Sequence, residues 1–183
     1  MPFPDLPDRL REVRTRIEAA RARGGHGQSV TIIAVTKTHG PDAVQAAWDV
    51  GLRDVGENRV QEALPKMDAV SVPIRWHLIG HLQRNKAKSV DRFAVVHSLD
   101  SARLADALNA HADAAGRTID ALVQVNVVGE ETKGGFPPSE WRREAERLKS
   151  LRGIHVRGVM ADSSLPSMPP SRRNFGAKVR PAS

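Results

Sequence analysis

The sequence predicts an α/β fold built on parallel strands, and three observations carry that reading. Short apolar runs alternate six times with stretches of helical periodicity, joined by short connections. Polar clusters at Lys37, Glu57-Asn58, His77–Gln83 and Gln124–Asn126 fall at or just after strand ends. No Gly-x-Gly-x-x-Gly follows the first strand, which argues against a dinucleotide site. Two architectures fit: an open doubly wound sheet, or a (β/α)8 barrel with part missing. In a barrel the polar clusters meet at the carboxyl-terminal mouth, where chemistry is placed.

Residues 5–23 read as a helix, with Asp5 as cap, Pro7 in the first turn and Leu6, Leu10, Val13, Ile17 and Ala20 as one apolar stripe. Gly24 and Gly25 stop it. Ile32, Ile33, Ala34 and Val35 form a near-continuous apolar run, as in a parallel strand buried on both faces. Lys37 follows at once. A lysine at the end of a buried strand is unusual: burial disfavours its charge, and a less-charged amine attacks an aldehyde more readily. The plainer alternative is a lysine that reaches out to water.

Gly40 and Pro41 open a helix over 41–50, with Val44, Ala47 and Trp48 on one face. A strand over Leu52–Val55 runs into Gly56-Glu57-Asn58. The next helix carries Val60, Ala63, Leu64 and Met67 and is expected to kink or end at Pro65. Ile74–Ile79 is the third strand, and residues 82–90 read as a short basic helix. Phe93–Val96 is the fourth strand. Asp100 is placed as the cap of a helix ending at Ala115, with Gly116 as stop. Ala121–Val127 is the fifth strand, 129–135 a loop, and 138–150 a helix with Trp141, Ala145 and Leu148 inward. Ile154–Val159 is the sixth strand.

The chain has 183 residues, no cysteine and an ordinary apolar fraction of 40%. These values suit one globular domain without disulfides, thiolate metal sites or a cysteine nucleophile. No apolar run reaches membrane-spanning length, and the start lacks the pattern of a signal peptide, so a cytoplasmic protein is expected. The formal charge of +7 raises the possibility of nucleic acid. Its distribution argues against that partner. Arg172, Arg173, Lys178 and Arg180 carry +4 of it in residues 163–183, leaving +3 on the rest. After Met160 periodicity stops, and residues 161–183, rich in Ser, Pro and Arg, read as an irregular, disordered basic tail behind a domain spanning 1–160.

Five segments together resemble the pyridoxal-phosphate homeostasis family, whose fold is like the N-terminal barrel of alanine racemase. They are Ala34–His39, Val55–Glu62, Trp76–Lys86, Val123–Asn126 with Glu131–Gly135, and Val156–Met160. The resemblance runs in unbroken order over roughly residues 6–160. It implies an α/β fold of the (β/α)8, TIM-like type, incomplete at about six parallel strands, with an added N-terminal helix.

The same resemblance implies that Lys37 forms a Schiff base with pyridoxal 5′-phosphate and that Asn58 lies beside the cofactor ring. For Asn58 a helix cap is the equal alternative. His81 lines the mouth, whereas His77 reads as a satisfied core histidine. Met160 packs against the ring or simply in the core. Lys133 reads as solvated or paired in its loop. No catalytic residue and no metal ligand set is assigned.

Family members continue with a Ser-Met-Gly-Met-Ser-x-Asp segment and an Arg-Ile-Gly-Thr segment, which supply the phosphate cradle and an arginine facing the pyridine nitrogen. These 183 residues contain neither; at Ser167-Met168, Pro169 and Pro170 replace the glycine-bearing turn. The chain resembles a member cut after its sixth strand, as a reading-frame change would produce. Weakened cofactor binding and exposed sheet edges are the expected consequences.

The implied function is a monomeric carrier or buffer of the vitamin B6 cofactor, without turnover, handing it to apoenzymes that require it. A nonfunctional truncated product is the alternative. A racemase needs bases on both cofactor faces, and this chain has no tyrosine and no second, β-rich domain. A nucleic-acid binder would need a coherent basic face, and the body offers only Arg84, Lys86 and Lys88.

Overall fold

A computed structural model of the chain describes residues 3–127 and 134–161. They form two compact units divided between His77 and Leu78. The first holds α1 (Leu6–Gly24), β1 (Ala34–Val35), α2 (Pro41–Asp49), β2 (Asp54–Glu57) and α3 (Val60–Ala69), and the division falls inside β3 (Arg75–Leu78). The second holds a 3₁₀ turn (Arg84–Ser89), β4 (Val95–Leu99), α4 (Ala102–Ala114), β5 (Ile119–Val125), α5 (Pro138–Ser150) and β6 (Ile154–Ala161).

Strand order follows the sequence, β1-β2-β3 in the first unit and β4-β5-β6 in the second. β1 pairs with β2 in parallel, Ala34 opposite Val55 and Val35 opposite Gly56. β4–β5 and β5–β6 are also parallel. The alternation of strand and helix expected from the sequence is therefore present. Val44, Val55 and Ala63 are fully or almost fully buried in the first unit, as are Leu78, Leu99, Leu108, Val123 and Leu148 in the second.

Several elements differ from expectation. β1 spans two residues and is not buried on both faces: Val35 is 51% exposed, while Thr36 is buried. β1 is the first strand of the order, so one face of its end packs inward and the other lies open. β2 and β4 begin two residues later than the apolar runs suggest, because their polar carboxyl ends belong to the strands. Asp5 makes no side-chain cap to α1, and of the expected apolar stripe only Leu10 is buried. Gly25, at φ 65°, does end that helix in the left-handed conformation that glycine takes without strain.

α3 continues through Pro65 to Ala69 rather than breaking there. One missing N–H at the sixth of ten helical positions is offset by burial of Val60, Ala63 and Met67. The basic segment is a 3₁₀ turn rather than an α-helix. The cap of α4 is Ser101, not Asp100: its hydroxyl accepts from the Leu104 N–H at 3.4 Å. Ser101→Ala is expected to lower thermal stability by about 0.5–1 kcal/mol, read by denaturant midpoint. No change in midpoint would show that the long bond contributes nothing. Ala161 still belongs to β6, and residues 162–183, including the expected disordered tail, lie outside the described residues.

Candidate functional site

Lys37 stands just past the carboxyl end of β1, in a tight turn closed by the His39 N–H donating to the Thr36 carbonyl at 3.2 Å. It is exposed, so the burial expected to weaken its charge is not there. The open face at Val35 is the reason: residues 35 and 37 share one side of the strand end. Among the described residues the Lys37 amine has no hydrogen bond or ion pair. Thr38, its neighbour, sits at φ +67°, the one positive φ of a non-glycine residue among the described residues. For a β-branched side chain that conformation stores strain on the order of 1–3 kcal/mol, and such strain clusters at functional sites. The Phe3 and His39 rings meet edge to face at 5.6 Å beside the same turn.

Beneath the turn lies a buried network that sequence reasoning missed. Lys66 Nζ donates to Glu57 Oε1 at 2.6 Å and to the Thr36 carbonyl at 2.9 Å. The Thr36 hydroxyl donates to the same Glu57 oxygen at 2.6 Å. Glu57 is fully buried and Lys66 is 7% exposed. Glu57 Oε2 is buried without a hydrogen-bond partner. The network ties the end of β1 to β2 and α3, and so fixes the backbone that carries Lys37. One signal was available: Lys66 lies three residues after buried Ala63, on the packed face of α3.

Asn58 follows β2 and is half-buried. The paired strands set Val35 opposite Gly56, and two residues further on come Lys37 and Asn58. The first unit thus brings these two sequence-predicted residues to neighbouring strand ends. Asn58 is not the cap of α3, a position held by Arg59, whose side chain makes no cap bond.

His77 is the satisfied core histidine expected: it is 7% exposed, and its Nε2 donates to Asp54 Oδ1 at 2.8 Å. Arg75 donates to the other oxygen, also at 2.8 Å. Burial opposes ionisation of Asp54, but hydrogen bonds from Arg75 and His77 and their charge outweigh it and hold the carboxyl below its ordinary value. The stability this supplies is complete above the unfolded-state value of about 3.9 and is lost as pH falls through the lower native value. Asp54→Asn is therefore expected to flatten the acid limb of a melting-temperature profile below about pH 4. An unchanged acid limb would contradict that reading of Asp54.

In the second unit, exposed His81 donates from Nδ1 to Asp100 Oδ2 at 2.8 Å. The Ser98 hydroxyl donates to the Gly80 carbonyl at 2.7 Å, anchoring the approach to His81. Gln124 Nε2 donates to the Gly134 carbonyl at 2.8 Å. A Cβ on Gly134 would sit 3.2 Å from Asp100 Oδ2, so the loop passes close to that carboxylate. Met160, half-buried on β6, pairs in register with Gln124 on β5. Lys133 lies outside the described residues. Among the described residues no cluster of His, Asp or Glu could hold a metal, and no helix is long and apolar enough to cross a membrane.

Residues 9–165 match the sequence family described as alanine racemase, N-terminal domain. A pyridoxal phosphate homeostasis protein of Pseudomonas aeruginosa is 38% identical over 159 residues, 85% of this chain and 69% of that protein. A protein of the same name from Aquifex aeolicus is 36% identical over 176 residues, 94% of this chain and 77% of its own length. The solved structure of PipY from Synechococcus elongatus without PLP is similar at TM-score 0.73 and 36% identity, over 82% of this chain and 71% of that one. PipY with PLP bound gives 0.69 at the same identity, over 81% and 70%. Alanine racemase of Clostridium difficile 630 shares the fold at TM-score 0.63 and 15% identity, over 80% of this chain and 39% of that one. Parallel strands with helices between them, and these neighbours, make the fold an alanine-racemase-like barrel type with six strands described.

Proposed function

The chain belongs to the family of pyridoxal phosphate homeostasis proteins, and on that premise we propose that it binds pyridoxal 5′-phosphate, held as a Schiff base on Lys37. The observation that carries the reading is Lys37 itself, an unpaired amine among the described residues, on a strained turn at the end of β1. The cofactor supplies an aldehyde that condenses reversibly with a primary amine, releasing water. The donor set suits that end of the molecule. Lys37 Nζ provides the amine, and the Lys66–Glu57–Thr36 network holds its turn in place. Asn58, at the neighbouring strand end of the same unit, lies beside the ring in this reading.

The phosphate end is served less well. The 183 residues contain neither glycine-bearing segment that the family uses there. Without those backbone N–H groups the 183-residue chain is expected to bind the cofactor more weakly than PipY, whose solved structure holds PLP.

The function is that of a cytoplasmic, monomeric carrier or buffer for the vitamin B6 cofactor, without turnover, delivering it to apoenzymes. Among the described residues we assign no second base to act opposite Lys37, so the reading includes no racemisation. Mixing the cofactor-loaded chain with an apo-aminotransferase tests this. Aminotransferase activity returns, while the loaded chain alone leaves L-alanine unracemised. Racemisation by the chain, or no transfer from it, would overturn the carrier reading.

A further inference from the structure

A groove of about 420 Å³ in the first unit runs along the amino-terminal ends of β1, β2 and β3. Four arginines line it, Arg14, Arg21, Arg53 and Arg75, against two acids, Glu18 and Asp54. Asp54 is already engaged by Arg75 and His77. Arg53 is fixed in place: its guanidinium lies 3.7 Å from the Trp48 ring centroid, and Nη1 donates to the carbonyls of Trp48 and Leu52 at 3.0 and 2.8 Å.

Two guanidiniums keep donors unspent. Arg21 Nη2 donates to the Gly27 carbonyl at 3.3 Å, but its Nε is buried and has no hydrogen-bond partner. Arg14 has no hydrogen bond or ion pair among the described residues, although Glu18 stands one helical turn away. A buried N–H left without an acceptor is costly, and native structures supply a partner for nearly all of them. Here every nearby carboxylate but Glu18 is taken, and the local charge is an excess of two positive groups.

We propose that this groove is a binding site for a small molecule carrying a phosphate group. Guanidinium forks match phosphate oxygens in pairs, and a tetrahedral dianion can accept from more than one fork at once, which a planar carboxylate does less well. The site is distinct from Lys37. Ile32 lines the groove ahead of β1, whereas Lys37 stands in the turn past the carboxyl end of that strand. Occupancy of one leaves the other free.

The test is isothermal titration calorimetry of the full 183-residue chain with inorganic pyrophosphate at low ionic strength. One saturable site is expected, weakening as salt is added. Arg21→Gln is expected to weaken it at least tenfold, with circular dichroism reporting whether that variant is folded. Arg14→Gln changes an exposed side chain and is expected to weaken it at least threefold. Lys37→Ala leaves it unchanged, and malonate binds at least tenfold more weakly than pyrophosphate. Absence of a saturable site, or indifference to both arginine substitutions, would overturn the proposal. Equal binding of malonate would overturn the phosphate assignment, and loss of binding in Lys37→Ala would overturn the separation of the two sites.

Discussion

Replacing Lys66 by methionine is expected to destabilise the first unit by about 3–5 kcal/mol, the cost of breaking a buried ion pair from one side. Methionine fills a similar volume, so the loss is electrostatic rather than a cavity. The Glu57 carboxylate, fully buried, would keep only the Thr36 hydroxyl, and its Oε2 already lacks a partner. The Thr36 carbonyl would lose one of its two donors and keep the His39 N–H. The double variant Glu57→Gln/Lys66→Met is expected to be more stable than Lys66→Met alone. It removes the stranded charge, and the amide oxygen can still accept from Thr36. Urea denaturation of the three proteins measures both effects. A loss below about 1 kcal/mol in Lys66→Met, or a double variant weaker than the single, would refute this account of the network.

Lys37→Ala is expected to behave oppositely. The side chain is exposed and has no partner among the described residues, so melting should stay within about 0.5 kcal/mol of the unmodified chain. Cofactor binding should fall at least a hundredfold, because no other described residue offers an amine on that turn. The contrast between the two lysines separates their roles. Lys66 holds the turn and Lys37 presents its amine from it. If Lys37→Ala melted several degrees lower, the amine would be part of the packing.

The residues differ in how much of this could be read from sequence. Gly25 was legible as a helix stop because a positive φ is a local property of one residue. Lys37 was placed correctly at a strand end, since an apolar run followed by Lys, Gly and Pro needs no tertiary knowledge. Its exposure was not legible. Whether Val35 and Lys37 are covered depends on what packs over that face, and periodicity within β1 does not report it. β2 and β4 were set too early because apolar content marks a strand's start and its burial, not its polar end. Glu57 and Ser98 are fully buried there because hydrogen bonds engage Glu57 Oε1 and the Ser98 hydroxyl. The Glu57–Lys66 pair was missed for the same reason: two charges nine residues apart look solvated until α3 packs against β1 and β2. Asp100 was read as a cap because Asp and Ser at adjacent positions are equal candidates; only the His81 contact shows which carboxylate is spent elsewhere.

The most direct test of the central claim is to incubate the chain with pyridoxal 5′-phosphate at substoichiometric ratio, reduce with borohydride and map the labelled peptide by mass spectrometry. One dominant label is expected, on Lys37, and it disappears in Lys37→Ala without moving to another lysine. Label spread over many lysines in both proteins, or concentrated on a lysine other than Lys37, would contradict it.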